Sequence, residues 1–131
     1  MDDIEKIRKR FAMDRYATDR TGAVIEDVSE GFARCSFEIT DFHKNALGNV
    51  MGGAVFTLAD FTFAAATNAG GREVVSVAST INFSGVAKGS RLIAEAKCVK
   101  DGRTICVYEI TVTDDIGSKV AFVTTTGFIK S

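Results

Sequence analysis

Between Lys44 and Arg72 the sequence has one charged side chain, Asp60, set in a run of small and apolar residues that opens with the pair Gly52-Gly53. A carboxylate buried ionised and unpaired in hydrocarbon is strongly disfavoured, so Asp60 must be hydrogen-bonded, protonated or used in chemistry. The glycine pair offers the complementary group. Backbone N–H groups at a helix start lack intrahelical acceptors and lie at the positive end of the helix dipole, and glycine there lets a carbonyl approach without meeting a Cβ. Asp60 could then act on a proton or attack a carbonyl carbon, while the Gly52 N–H holds the oxyanion that develops. The structural alternatives are a carboxylate tied to backbone or serine, and a glycine pair that only permits tight helix-to-strand packing.

The elements that must position these groups follow from periodicity. Ile4, Ile7, Arg8 and Phe11 mark a short amphipathic helix with Lys6, Lys9 and Arg10 on the wet side, expected to pack as a lid or flank, so residues 1–20 are read as an N-terminal helical flank. Ala23 to Val28 and Phe32 to Ile39 read as a hairpin about Ser29-Glu30-Gly31. Its second arm alternates Ala33, Cys35, Phe37 and Ile39, expected inside, with Arg34, Ser36 and Glu38, expected wet. Asp41 to Val50 reads as loop. The alanine-rich segment from Gly52-Gly53 is apolar nearly all round, as a helix covered on most sides must be, and Gly70-Gly71 stops it. Four strand-like runs follow: Val74 to Phe83, Leu92 to Val99, Thr104 to Val112 and Val120 to Ile129, with turns at Asp101-Gly102 and Asp114 to Gly117. The expected class is α+β, an antiparallel sheet curled around one buried helix.

Composition limits the possible functions. A chain of 131 residues fits one domain, 1–131, and the sequence contains no repeat, linker or proline boundary. With 16 basic and 17 acidic side chains it has no footprint for a polyanion, so nucleic acid is not an expected partner. Cys35, Cys98 and Cys106 are odd in number and form no Cys-x-x-Cys pair, which argues against a disulfide framework and for a reducing cytoplasm. Met1 to Arg10 lacks the apolar segment of a signal peptide, and Ala54 to Ala69 is too short to span a bilayer, so no membrane partner is expected. No metal cluster and no cofactor are implied.

The run His43-Lys44-Asn45-Ala46-Leu47-Gly48-Asn49-Val50-Met51-Gly52-Gly53, followed by Thr57-Leu58-Ala59-Asp60, resembles the signature of the PaaI-like hotdog thioesterases. The likeness extends over nearly the whole chain, because the predicted order of elements is also that of the hotdog fold. It implies hydrolysis of acyl-coenzyme A thioesters, often aryl-acyl or medium-chain. A thioester carbonyl is already electrophilic, so polarisation plus a carboxylate that activates water, or attacks directly, is a sufficient mechanism. By resemblance Asn45 orients water or carbonyl, Asp60 is base or nucleophile, and Ser76 supports the water of Asp60. Each has a plainer alternative: Asn45 as a turn cap, Ser76 as an ordinary sheet-surface serine. Met51 departs from the pattern, since these enzymes usually have histidine there. Losing a side-chain donor that touched the oxyanion would cost on the order of a hundredfold in rate, while the Gly52 N–H survives the change.

The remaining substrate contacts are expected from Met51, Gly53, His43, Phe61, Lys88 and Arg91. His43, the sole histidine, is placed near the entrance by resemblance, with a solvent-facing loop residue as the alternative. Phe56, Phe61 and Phe63 line an acyl tunnel or are plain core. Lys88-Gly89-Ser90-Arg91 meets nucleotide phosphates or is simply solvated. Gly52 and Asp60 lie eight residues apart on one helix, about 12 Å along its axis, so one carbonyl cannot touch both. The expected assembly is a homodimer with shared active sites, pairing further into a homotetramer. A non-catalytic acyl-CoA-binding or regulatory hotdog protein is the alternative that Met51 raises. A hotdog hydratase is the third reading, weakened by the lack of a histidine beside the acid.

Overall fold

The computed structural model describes residues 3–131; Met1 and Asp2, part of the expected N-terminal flank, lie outside it. Helix α1 spans Asp3–Phe11, and a short π-helix follows at Tyr16–Arg20. Strands β1 (Val24–Ser29) and β2 (Phe32–Glu38) form the first hairpin. After a 3-10 turn at Asp41–His43 comes α2 (Gly52–Asn68), then β3 (Val74–Phe83), β4 (Arg91–Asp101), β5 (Ile105–Asp114) and β6 (Lys119–Ile129). The six strands make one sheet in the order β1-β2-β4-β5-β6-β3, every neighbouring pair antiparallel. This is the α+β hotdog arrangement, a sheet wrapped around the long helix.

Small side chains let the helix sit down on the sheet. One inward-facing row runs Ala33, Ala96, Ile110, Val123, and the next runs Cys35, Ala94, Val112, Ala121. Under α2 the β2 and β4 positions in both rows are alanine or cysteine, each with no exposed surface, so helix and sheet approach closely. Leu58, Ala59, Phe63 and Ala65 of α2 fill the space above them. Gly70 and Gly71 take φ of +79° and +87°, which a side chain would resist, and the helix ends there. Asn68 ties that end to the sheet, donating to the Ala64 carbonyl and accepting from the Val74 N–H.

The flank packs as its periodicity requires: Ile7 and Phe11 are buried, while Lys6, Lys9 and Arg10 are exposed. Arg8 donates through Nε to the Ile25 carbonyl at 2.9 Å, which ties α1 to β1 at the edge of the sheet. One expected wet residue is not wet. Ser36 is fully buried because Arg91 donates to its hydroxyl at 2.8 Å and that hydroxyl in turn donates to Glu26, which closes polar groups over the outer face. Among the described residues no helix is long and apolar enough to cross a membrane.

Candidate active site

Helix α2 starts without a side-chain cap. Met51 occupies the N-cap position in an extended conformation (φ −63°, ψ 141°), and its carbonyl accepts from Ala54 and Val55. Gly52 and Gly53 supply the first N–H groups, which have no carbonyl one turn earlier to bond. No acidic side chain competes for them in the first turn. A Cβ added at Gly52 would stand 3.0 Å from the Phe83 ring at the end of β3, and one at Gly53 would stand 3.8 Å from Met51. The helix mouth is thus framed by Met51 and Phe83, both more than half exposed.

The preceding loop holds that mouth in place. Asn45 Oδ1 accepts from the Leu47 and Asn49 N–H groups, so its carbonyl side is committed to the turn, the plainer role considered from the sequence, and its amide NH2 makes no bond among the described residues. His43 is not the solvent-facing loop residue considered from the sequence. It is buried and stacked on Phe37 at 4.1 Å. Its Nε2 lies 2.7 Å from the Thr21 carbonyl, which can only accept, so Nε2 carries the proton and Nδ1 accepts from the Thr40 N–H at 3.0 Å. Both nitrogens are occupied. The residue anchors the loop, and its own carbonyl accepts from the Met51 N–H at 2.8 Å, directly before the helix mouth.

Asp60 lies two turns further along α2. It is exposed in the single chain rather than embedded in hydrocarbon, because it opens onto a hollow of about 350 Å³ whose other walls include Asp14, Tyr16, Phe56, Thr57 and Phe61. Neighbouring atoms still withhold part of its hydration. That desolvation raises the carboxyl pKa above its usual 3.8, and the charge of Asp14 raises it further. Asp60 makes no hydrogen bond or ion pair among the described residues, so it has lone pairs to spend on a ligand. Cys35 is not a candidate nucleophile: it is fully covered, and burial pushes its thiol up to about 12.

The other expected residues are dispersed. Ser76 is exposed on β3 opposite Gly127, beside a bulge, and is not in the Asp60 hollow of its own chain. Phe61 is 3% exposed, with its ring edge-on to Phe11, and it does reach the Asp60 hollow; Phe63 is core, edge-on to Tyr108. Arg91 lines a separate hollow with His43 and the fully exposed Phe42, but its guanidinium is engaged with Ser36. The Lys88 ammonium is exposed, and its backbone N–H, with that of Gly89, donates to Asp114. Gly52 is not among the residues that line the Asp60 hollow. Sequence reasoning missed Asp14 and Tyr16: they are more than forty residues from Asp60, and only the fold of the N-terminal flank brings them to it.

The sequence pattern of the thioesterase superfamily matches residues 47–121, a span that holds Gly52-Gly53 and Asp60 and leaves out His43 and Asn45. The acyl-coenzyme A thioesterase PaaI of Escherichia coli (strain K12) is 35% identical over 102 residues, 76% of this chain and 72% of that protein. Among solved structures, a hypothetical thioesterase of Streptococcus pneumoniae crystallised with coenzyme A superposes with a TM-score of 0.84 at 26% identity, covering 92% of this chain and 97% of that one. A Streptococcus mutans protein bound to acetyl-CoA superposes with a TM-score of 0.78 at 30% identity, over 83% of this chain and 89% of the other.

Proposed function

The chain belongs to the thioesterase superfamily, as a PaaI-like thioester hydrolase, and on that premise we propose that it hydrolyses acyl-coenzyme A with Asp60 and the Gly52 N–H as its working groups. The observation that carries this assignment is Asp60 itself, the lone charge of α2, unpaired and partly desolvated at the edge of a hollow. As base, Asp60 takes a proton from water while the water oxygen attacks the thioester carbon. The carbonyl oxygen becomes an oxyanion and accepts from the Gly52 N–H. Collapse expels the coenzyme A thiolate, which recovers the proton from Asp60. As nucleophile, Asp60 attacks the same carbon and water then hydrolyses the anhydride. Asn45 can donate its free NH2 to the carbonyl, and Ser76 would serve a water from across an interface.

The separation of Gly52 from Asp60 supports a site shared by two copies. Two α2 helices antiparallel about a two-fold axis place Gly52 of one copy at Asp60 of the other, twice per dimer. The sheet favours the same pairing. At its β1 edge Arg8 of α1 takes the Ile25 carbonyl, whereas β3 bonds only to β6 and leaves a ten-residue edge carrying exposed Val75 and Val77. An uncovered edge of that length invites another strand. Aryl-acyl and medium-chain groups are the expected substrates, with the cytoplasm as the setting and a homotetramer as the further assembly.

A thiol-release assay over a short panel of acyl-CoAs tests the assignment. Asp60→Asn is nearly isosteric but cannot take a proton from water, so turnover should fall about 10²–10⁴-fold with the fold intact by circular dichroism. Hydrolysis at the parent rate would make Asp60 structural.

A further inference from the structure

Asp60 and Phe61 leave α2 from adjacent Cα atoms, and Phe61 faces two hollows. One is the 350 Å³ hollow of Asp60; the other, of about 490 Å³, is a solvent-open groove between α1 and β1 with Phe11, Ala23 and Ile25 on its apolar floor and Arg8, Asp19 and Glu26 on its rim. Phe61 is the residue common to both walls, and its ring is held edge-on to Phe11 with centroids 6.2 Å apart. The π-helix runs along both: Tyr16 and Ala17 line the first hollow, Thr18 and Asp19 the second. A π-helix is rare and is found disproportionately at functional sites. The second hollow is within the range of small-molecule sites, about 300–1,000 Å³.

Its charged rim is already neutralised. Arg8 donates to Glu5 and to the Ile25 carbonyl, Asp19 accepts from Arg15 at 2.7 Å, and Glu26 pairs with Arg34 at 3.1 Å. No unpaired charge is left there to greet a carboxylate or ammonium at the end of an acyl chain. The interior suits plain hydrocarbon, which gains about fourfold in affinity for each methylene buried.

We propose that the cavity behind Phe61 receives the distal end of an uncharged alkyl acyl chain, with the Phe61 ring as the partition that sets the accepted chain length. The proposal rests on the acyl-coenzyme A reading above. A short acyl group stays on the Asp60 side, and a longer one must turn the ring aside to continue.

Two measurements on the whole 131-residue chain separate this proposal from its premise. The first is kcat/KM for unbranched saturated acyl-CoAs from two to sixteen carbons, in the wild type, Phe61→Leu, Phe61→Ala and Ala12→Trp. Position 12 is exposed and lines the cavity, so tryptophan there fills the space with little risk to folding, whereas Phe61→Leu guards against loss of fold in Phe61→Ala. The ratio of kcat/KM for twelve carbons over four should rise at least tenfold in the Phe61 variants and fall at least tenfold in Ala12→Trp. The second is calorimetric binding of the same series to Asp60→Asn, alone and combined with Phe61→Leu, which reads chain length without turnover. Hydrolysis with an unmoved ratio overturns the proposal and leaves the thioesterase reading standing. Chain-length-dependent binding that shifts with Phe61→Leu, without hydrolysis by the wild type, supports the cavity and removes the catalytic reading. If neither turnover nor binding shows a shift, the proposal fails.

Discussion

A carboxylate can take a proton from water or attack a carbonyl only while ionised, so on the proposed mechanism the pKa of Asp60 sets the acid limit of activity. Desolvation in its hollow raises that pKa above 3.8, and Asp14 on the facing wall adds to the shift. Activity should therefore fall, as pH is lowered, through a midpoint above 3.8. In Asp14→Asn the midpoint of log kcat/KM should move to lower pH without reaching the unshifted value, because the desolvation remains; an unmoved midpoint would show that the two carboxylates do not interact. Arg15, the cation on the same wall, is bound to Asp19 and is expected to contribute little. The linked stability effect has the opposite sense to a salt bridge. The folded chain holds this proton more tightly than the unfolded chain, so ionised Asp60 costs stability above its folded pKa and the cost vanishes below the unfolded one. Asp60 was visible in the sequence because a lone charge in an apolar run is rare. The role of His43 was not, because nothing in a polar loop foretells stacking on Phe37 or a bond to the Thr21 carbonyl.

At the scale of elements, the turn from β5 to β6 latches the segment that leads into β4. Asp114 is 3% exposed and accepts from four backbone N–H groups, those of Lys88, Gly89, Ile116 and Ser118. Burial alone would raise its pKa, but these bonds outweigh that and hold it far below the usual carboxylate range. Asp115 repeats the arrangement on Ser90 and Arg91 at the surface. The sign is that of a depressed acid: the stabilisation is complete above the unfolded pKa and is lost as pH falls through the folded one. Asp114→Asn places an NH2 donor among N–H donors, so it should cost about 2 kcal/mol or more, measured by urea unfolding at pH 7. A loss below 0.5 kcal/mol, roughly that of an ordinary surface change, would mean the latch carries no stability. The sequence announced each strand and both α-helices, because alternation and the Gly70-Gly71 stop are local signals. It showed only a turn at Asp114, since the groups that turn binds lie about 25 residues earlier. The π-helix at Tyr16–Arg20 and the burial of Ser36 were equally hidden, being consequences of packing rather than of local pattern.

At the scale of the whole molecule, the single chain holds both of the proposed working groups, Asp60 and the Gly52 N–H, but keeps them apart, about 12 Å along one helix. A reacting carbon must lie within about 3 to 3.5 Å of its attacking atom while its oxygen meets the donor, so on the proposed mechanism the two groups would come from different copies of α2. The eight-residue spacing was legible in the sequence; the open β3 edge that would carry the proposed pairing was not, because strand order is a property of the assembled sheet. Complementation decides the point. Asp60→Ala removes the base, and Gly52→Val drives a side chain toward Phe83 and across the donor, since even a Cβ there would stand 3.0 Å from the ring. Each variant should be inactive alone while keeping its secondary structure. In a mixed dimer, one site combines the intact Asp60 of one copy with the intact Gly52 of the other, and the second site has neither. Random re-pairing of equal amounts makes half of the dimers mixed, so co-refolding should restore about a quarter of the wild-type activity. Native mass spectrometry counts the mixed dimers independently. If they form and no activity returns, each active site is built within one chain, and α2 must then meet its substrate by a geometry in which Gly52 is not the oxyanion donor.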